Sequence, residues 1–241
     1  MSRSLYLEAA GSTGVRPFLS RLRQAASRCH RAFWTRRPAL SASCKRVLDL
    51  VLSGTALVLA APFFGLVIVA VRLDSPGPAF FRQVRVGQGG RLFHLWKFRT
   101  MFVDAEARME RMMDESAEFF SHGVRFKMQH DPRITRIGRL LRRTSMDELP
   151  QLWNVLRGEM SLVGPRPPIP KEVALYNSHE RRRLEVMPGL TCIWQVSGRS
   201  LVPFDQQVEM DLTYVHRQSV GLDVALLLRT IPAVLTARGA Y

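Results

Sequence analysis

Cysteine and histidine, the residues that most often form disulfides or bind zinc, are few and scattered in this chain. The three cysteines, Cys29, Cys44 and Cys192, are odd in number and far apart, and no CxxC motif is present. The six histidines show neither HxxxH nor HExxH spacing. The sequence therefore predicts no disulfide framework and no structural zinc, and it fits a reducing compartment.

Acidic residues are also scarce. The chain has 20 Asp and Glu against 35 Lys and Arg, which gives a net charge of +15 over 241 residues. Such an excess favours an anionic partner: nucleic acid, an anionic membrane face or a phosphorylated small molecule. The length predicts one globular domain plus an additional segment.

The additional segment is predicted to be a poorly ordered basic arm, residues 1–43. Ten Lys and Arg but one acid, Glu8, occur before residue 47. Three interpretations stay open: a solvated tail, short helices such as 19–33 lying on an anionic membrane face, or an Arg- and Ser-rich transit peptide.

A long uncharged run, residues 50–71, follows the arm. Its 22 residues match the roughly 20 needed for a helix to cross a bilayer. Pro62 near the middle removes a helix hydrogen bond and predicts a break. Basic residues flank the run on both sides, so both ends favour the cytoplasmic face. We therefore predict a re-entrant helix over 44–75, with a simple spanning helix as the alternative.

Two strands, 79–86 and 91–101, are predicted around a glycine-rich turn at 87–90. On the second strand, alternation places Lys97 and Arg99 on the same side. The pair is either a phosphate clamp or two solvated surface cations.

Further helices are predicted from apolar periodicity. The segment 134–143 mixes apolar residues with arginines, as in helices that lie at a lipid headgroup interface. The other predicted elements are helices at 103–120, 171–187, 204–218 and 221–238, and a strand at 190–197.

The segment most suggestive of chemistry is SMDELPQLWNVLRG, residues 145–158. Ser145 and Glu148 have capping-box spacing, and Pro150 fits a first helical turn. Asp147 and Glu148 would then lie at the positive end of a helix dipole. Seven Lys and Arg precede them between residues 125 and 143. The carboxylates either cap the helix only, or they help to hold a phosphorylated substrate among these cations.

A proline-rich loop, SLVGPRPPIP, follows at residues 161–170. Because proline restricts the backbone, Arg166 is presented from a rigid loop, which suits bidentate phosphate binding. A linker or an SH3-type ligand is the alternative interpretation of the PxxP pattern.

Several segments in this order resemble one family, the bacterial sugar transferases, which are monotopic polyprenyl-phosphate phosphoglycosyl transferases. The resemblance covers residues 45–241 and looks most like the branch that initiates exopolysaccharide or O-antigen synthesis. The matching segments are KRVLDLVLS, FFRQVRVGQGGRLFHLWKFRTM, DPRITRIGRLLRRTSMDELPQLWNVLRGEMSLVGPRP, PGLT, WQVSGRS and the C-terminal RGAY.

The resemblance implies an α+β, mostly helical fold: a proline-broken re-entrant membrane helix, then a cytosolic catalytic domain over 76–241 with a small β-hairpin and interfacial amphipathic helices. It implies transfer of a sugar-1-phosphate from a nucleotide diphosphate-sugar, usually a UDP-sugar, to polyprenyl phosphate at the bacterial inner membrane. Nucleic acid is not an expected partner, and a homodimer stays open. A basic membrane-tethered scaffold without catalysis is the alternative.

The resemblance also implies roles for individual residues. Asp147 would be the nucleophile on the phosphoryl group that carries the sugar, and Glu148 would help to hold Mg²⁺. The Pro165-Arg166-Pro167 loop matches the segment associated with nucleotide recognition. The other candidate residues for binding phosphate or substrate are Lys97, Arg99, Arg142, Gln195 and Arg199. The chain departs from the family pattern at Ala61, where relatives often have serine before the proline, and at Cys192, where glycine is usual.

Overall fold

The computed structural model describes residues 39–109 and 131–236, with side chains from Ala42 onward. The basic arm up to residue 38, most of the helix expected at 103–120 and the C-terminal RGAY segment lie outside the described residues. Of the predicted helix, residues 105–109 are helical. The described part of the chain is mostly helical with two small sheets, as the predicted fold class requires.

The uncharged run forms one long helix, α1, Ala39–Asp74. By length and composition, Ala42–Asp74 is able to cross a membrane: an 18-residue stretch within it has a mean hydropathy of 2.4, and only 11% of that stretch is buried in the protein. The helix continues through Pro62, so the predicted break does not interrupt it. Proline still removes one hydrogen bond at this point, but the turns on either side hold the helix together.

The predicted hairpin is present. Strands β1, Phe80–Val86, and β2, Leu92–Phe98, pair antiparallel, with Val84 opposite His94. The glycine-rich segment between them is a turn that includes a short 3-10 piece at Gln88–Gly90. Residues Phe93 and Leu95 alternate into the main core, which fixes the direction of the side chains that follow along β2.

Helix α2, Arg136–Arg143, confirms the basic helix, and the side chain of Thr135 accepts a hydrogen bond from the Gly138 N–H at its start. The next segment differs from the prediction. Met146–Glu148 is a 3-10 turn, and helix α3, Gln151–Leu156, begins only after Pro150. Ser145 has a left-handed backbone with φ of 58° and makes no side-chain cap, so the capping-box prediction was wrong.

A second sheet joins distant parts of the chain. Strands β3, Ser161–Val163, and β4, Gly189–Thr191, are parallel, and β3 was not predicted. The two backbones approach closely where a Cβ on Gly189 would lie 2.0 Å from the amide nitrogen of Gly164. The strand expected at 190–197 ends at Thr191, because the chain turns at Cys192 into a helix.

The remaining elements complete the domain. The helix expected at 171–187 is divided into shorter pieces by the extended backbone at Tyr176 and Asn177. The helices expected at 204–218 and 221–238 are confirmed. In chain order the elements are α4 Pro170–Leu175, α5 Ser178–Arg181, a 3-10 turn Arg182–Glu185, α6 Ile193–Ser197, a 3-10 turn Arg199–Leu201, α7 Phe204–Arg217 and α8 Val220–Thr236.

A buried polar group, which we call the anchor cluster, joins the start of α1 to the domain. It consists of Lys45, Tyr214, Asp223 and the carbonyl of Val163. The Lys45 ammonium donates to Asp223 at 2.6 Å and to the carbonyl at 3.0 Å, and the Tyr214 hydroxyl lies 2.7 Å from the other Asp223 oxygen. These bonds fix α1 against α7, α8 and β3.

Candidate active site

The two adjacent carboxylates lie in the short turn between α2 and α3. Asp147 is buried, and the side chain of Glu148 is 25% exposed. The left-handed residue Ser145 reverses the chain after α2, and Pro150 begins α3 immediately afterwards. Two helix ends therefore hold the turn, although the turn is not itself part of an α-helix.

Lys97 reaches this pair from β2. Its ammonium nitrogen lies 2.6 Å from Oε1 of Glu148 and 3.8 Å from Oδ2 of Asp147. The alternation that buries Leu95 brings Lys97 to the same face, as the sequence predicts. One cation is thus shared by two carboxylates, and the bond to Glu148 is the shorter.

Arg142 approaches from the last turn of α2. Its Nε donates to Thr100 Oγ1 at 2.9 Å, which holds the guanidinium near Asp147 and Asp131. Burial lowers the pKa of Arg142, and the two aspartates act in the opposite direction. The predicted proximity of Arg142 to the carboxylates is present in the structure.

The proline-rich loop forms another wall of the site. The carbonyl of Pro165 accepts from the Gly189 N–H at 2.9 Å, and that of Pro167 accepts from Arg85 Nη1 at 2.9 Å. Both ends of the loop are thereby fixed, one to β4 and the other to β1. Arg166 between them is half-buried and faces a cleft.

This cleft combines residues that the sequence predicts with residues that it does not. Predicted members are Lys97, Glu148, Arg166, Pro167 and Gln195. Sequence reasoning missed the others: Arg85, Leu95, Gln151, Gly189 and Leu190. Gln151 was detectable in principle, because it lies in the first turn of the helix that follows Glu148.

Gln195 and Arg199 both come from the segment after β4. Oε1 of Gln195 is buried and has no hydrogen-bond partner among the residues that the structure describes. Burial lowers the pKa of Arg199, and the negative charge of Glu148 partly offsets this, so the two residues are near enough to interact. The positive φ of 54° at Arg199 shows that a strained backbone position presents this side chain.

The two carboxyl groups are shifted in opposite directions. For Glu148, burial raises the pKa, but Lys97, Arg166 and Arg85 outweigh it and lower the value to about 2. For Asp147, burial dominates and raises the pKa, with Lys97 opposing and the charge of Glu148 adding to the rise. The Glu148 carboxyl group is therefore the more strongly acidic of the two, and the Asp147 carboxylate is the more basic.

Comparison with known proteins matches residues 40–237 to the family model described as bacterial sugar transferase. The chain belongs to the bacterial sugar transferase family.

Relatives cover the same region. Galactosyl transferase CpsE of Streptococcus agalactiae serotype III (strain NEM316) is 43% identical over 197 residues, covering 81% of this chain and 43% of the relative. Exopolysaccharide production protein ExoY of Rhizobium meliloti (strain 1021) is 39% identical, covering 82% and 88%. Undecaprenyl-phosphate galactose phosphotransferase of Salmonella typhimurium (strain LT2) is 40% identical, covering 82% and 41%. The chain therefore spans less than half of two of these relatives and most of the third.

In this member of the family, Arg99 lies apart from the carboxylates. Its guanidinium donates to the carbonyls of Pro76 and Ser75 at 2.6 and 2.5 Å, at the turn after α1. Strand β2 ends at Phe98, so the alternation that directs Lys97 into the site does not extend to Arg99. The two residues do not form the predicted clamp, and Arg99 fixes the end of α1 instead.

A divalent metal has limited ligands here. Within 39–109 and 131–236, no group of three or more His, Cys, Asp or Glu side chains is arranged to hold a metal ion. Mg²⁺ commonly uses one or two carboxylates together with substrate phosphates. The ionised, partly exposed Glu148 beside Asp147 fits that requirement only when a phosphorylated ligand completes the set.

Proposed function

We propose that this protein transfers a sugar-1-phosphate from a UDP-sugar to polyprenyl phosphate and releases uridine monophosphate. The observation that carries the proposal is the pair Asp147 and Glu148, which share Lys97 at the edge of a cleft lined by Arg85 and Arg166. The printed names of two relatives, a galactosyl transferase and an undecaprenyl-phosphate galactose phosphotransferase, support this reaction class.

Asp147 is the proposed nucleophile. Its carboxylate oxygen attacks the phosphorus that carries the sugar, and the bond from that phosphorus to the nucleoside monophosphate breaks, so uridine monophosphate leaves with the electron pair. An oxygen of polyprenyl phosphate then attacks the same phosphorus and displaces the Asp147 oxygen, which restores the carboxylate. The raised pKa of Asp147 suits this role, because a more basic carboxylate is the better nucleophile once ionised.

The surrounding cations make the attack feasible. A diphosphate next to a carboxylate is strongly repelled unless positive charge intervenes. Lys97, Arg142 and Arg166 provide that charge from three different elements. Glu148 would hold Mg²⁺ together with the diphosphate, and the bound metal would neutralise developing phosphoryl charge.

Gln195 differs from the cations of the site, because it presents a hydrogen-bond acceptor. Its Oε1 is a buried acceptor without a partner in a cleft whose charged side chains are mainly donors. A diphosphate offers only acceptors to such a group. We therefore assign Gln195 to a donor group of the nucleotide-sugar, either a sugar hydroxyl or the base N–H.

Both ends of α1 contact the same domain, and this supports a re-entrant path. Near its start, the Asp49 carboxylate accepts from the Leu162 N–H at 2.9 Å; at its end, the Asp74 carboxylate accepts from the Ile137 N–H at 2.8 Å. Measured along the helix, these contacts are about 37 Å apart, which would be enough to cross the roughly 30 Å hydrocarbon core. One domain cannot contact both ends across a bilayer, so we propose that both lie on the cytoplasmic side of the inner membrane.

Two exposed apolar surfaces fit the same orientation. Leu140 on α2 is 57% exposed, and it lies among arginines that suit lipid headgroups. On α8 the exposed apolar residues are Val224, Leu228, Ile231 and Leu235, which share one helix face.

The reaction is tested with purified full-length protein in lipid nanodiscs, polyprenyl phosphate, Mg²⁺ and a panel of UDP-sugars. We expect release of uridine monophosphate with at least one sugar, and a sugar-phosphate adduct on Asp147 when polyprenyl phosphate is omitted. Mass spectrometry of the intact protein and its peptides detects the adduct. A scaffold protein would release no nucleotide with any donor, and turnover without an adduct would exclude the covalent route.

Orientation is tested with single introduced cysteines in a Cys29→Ser, Cys44→Ser background, in which the remaining Cys192 is buried. Ser43 precedes the apolar run and is exposed, and Arg91 lies exposed in the hairpin turn after it. We expect an impermeant thiol reagent to label Ser43→Cys and Arg91→Cys from the cytoplasmic side only. Labelling from opposite sides would establish a spanning helix.

A further inference from the structure

Asn154 on α3 is fully buried, and both the oxygen and the nitrogen of its side-chain amide make hydrogen bonds. Oδ1 accepts from the backbone N–H of Trp96 at 3.1 Å. Nδ2 donates to the carbonyl of His94 at 2.7 Å and to Oε2 of Glu159 at 2.7 Å. The amide therefore makes two bonds to β2 and one to the segment that follows its own helix.

These bonds occupy the free edge of β2. The other edge of the strand pairs with β1, and within 39–109 and 131–236 no further strand would pair with the His94 carbonyl and the Trp96 N–H. A primary amide presents one acceptor and one donor in the same arrangement as a backbone peptide. Asn154 thus takes the place of a third strand and fixes the position of α3 along β2.

Both partners in this contact lie next to the site. Trp96 immediately precedes Lys97, and Asn154 follows Glu148 by six residues through Pro150 and α3. The Lys97 ammonium is 2.6 Å from one carboxylate and 3.8 Å from the other. A shift of β2 against α3 by about 1 Å would change which carboxylate the lysine favours, and misplacement of that size often reduces turnover about 100-fold.

We propose that Asn154 is a positioning residue for catalysis, which sets the placement of Lys97 relative to Asp147 and Glu148 by docking α3 on the edge of β2. The inference rests on the proposed function for its kinetic consequence. The docking itself is independent of that function.

The kinetic test compares Asn154→Ala with a matched control, Val155→Ala. Val155 is the next residue of α3, is also fully buried, and packs in the main hydrophobic core. Asn154→Asp is included because it keeps the volume and the acceptor for Trp96 but loses the donor to His94. Thermal melts define a temperature at which all variants remain folded.

We expect Asn154→Ala to lower kcat roughly 30- to 100-fold with KM for the donor changed less than about 3-fold, and Val155→Ala to stay within about 3-fold of wild type in kcat. In a Lys97→Gln background, the same Asn154→Ala change should cost less than about 3-fold, because the lysine it positions is gone. A purely structural role would give equal losses in both backgrounds, or equal losses for Asn154→Ala and Val155→Ala, and would overturn the proposal.

A second measurement does not depend on turnover. Hydrogen exchange of the Trp96 amide should accelerate about 10-fold or more in Asn154→Ala, which removes its acceptor, but not in Val155→Ala. Unchanged exchange in Asn154→Ala would overturn the docking even if the protein proves to be an active transferase. If wild-type protein releases no uridine monophosphate but Trp96 exchange responds as expected, the proposed function fails while the docking stands.

Discussion

The anchor cluster and the candidate active site use the same types of residue in different ways. In the anchor cluster, Lys45 meets one carboxylate, that of Asp223, and a tyrosine and a carbonyl complete its hydrogen bonds. In the site, Lys97 is divided between two carboxylates, and further arginines surround them. The first group is neutral and closed by its own members; the second has more cations than anions.

This difference separates a structural contact from a binding site. A buried ion pair whose hydrogen bonds are completed by the protein holds helices together and has no need of a ligand. A cleft with excess positive charge is electrostatically incomplete until an anion enters. The diphosphate of a nucleotide-sugar is such an anion, and the divided Lys97 leaves Asp147 only partly neutralised before the substrate arrives.

The largest expected difference concerns the two aspartates. Asp147→Asn should reduce release of uridine monophosphate at least about a thousand-fold, because it removes the proposed nucleophile. Asp223→Asn should keep turnover within a few-fold of wild type at a temperature where it stays folded, because the anchor cluster does not touch the cleft. Nucleotide release assays on both variants measure this, and full activity in Asp147→Asn would remove Asp147 from the mechanism.

The sequence predicts the position of a site residue well when that position depends on neighbours in the chain, and poorly when it depends on residues far away in the chain. Strand alternation is local, so the placement of Lys97 beside Phe93 and Leu95 was predictable. The same alternation failed for Arg99 one step later, because the strand ends and nearby carbonyls at Ser75 and Pro76 bind the guanidinium.

Long-range contacts explain the other failures. The β3–β4 pair depends on the close approach of Gly164 and Gly189, which are far apart in the chain and carry no strand pattern of their own. Arg85 joins the cleft only because this pair, together with β1, fixes the proline-rich loop. The adjacency of Asp147 and Glu148 was evident from the sequence, but their 3-10 turn was not, since Ser145 adopts a left-handed backbone instead of capping a helix.

A second prediction compares the same substitution at the two lysines, Lys45 in the anchor cluster and Lys97 in the site. Lys45→Met should lower the free energy of unfolding by about 3–5 kcal/mol, because it leaves buried Asp223 without its cation. Lys97→Met should cost much less stability but lower kcat/KM about 100-fold, since Glu148 and Asp147 retain other cations while the transition state loses one. Denaturant unfolding and steady-state kinetics on both variants test whether Lys45→Met mainly lowers stability and Lys97→Met mainly lowers activity. Equal stability losses would contradict the difference between the anchor cluster and the site.

Within the site, the two carboxylates should affect stability with opposite sign. Asp147 has a raised pKa in the folded protein, so its ionised form opposes folding, and Asp147→Asn should be more stable than wild type at pH 7. That advantage should disappear as pH falls through the raised pKa, where the wild-type carboxyl becomes protonated.

Substitution of the neighbouring carboxylate, Glu148→Gln, should lower the stability of the protein at pH 7. The pKa of Glu148 falls from 4.5 to about 2 on folding, so its ionised form stabilises the fold at pH values above 4.5. Glu148→Gln should therefore lose about 1–2 kcal/mol at pH 7, a discounted value because the side chain is partly exposed. This loss should shrink as pH falls from 4.5 through about 2. Unfolding measured across pH for both variants provides the test, and shifts of the same sign would refute the assignment.

The smallest expected effect on turnover belongs to a substitution in the anchor cluster. Tyr214→Phe removes the hydroxyl that lies 2.7 Å from Asp223, but Lys45 still pairs with that carboxylate, so the loss should be about 1.5 kcal/mol. Burial and the charge of Asp223 raise the pKa of Tyr214, so the hydroxyl stays protonated and the loss should be equal at pH 6 and pH 9. Turnover should not change, because the hydrogen bonds of the anchor cluster are made by its own members without substrate. A loss that varies with pH in this range would mean that the anchor cluster titrates, and that the closed group and the open site differ less than their hydrogen bonds indicate.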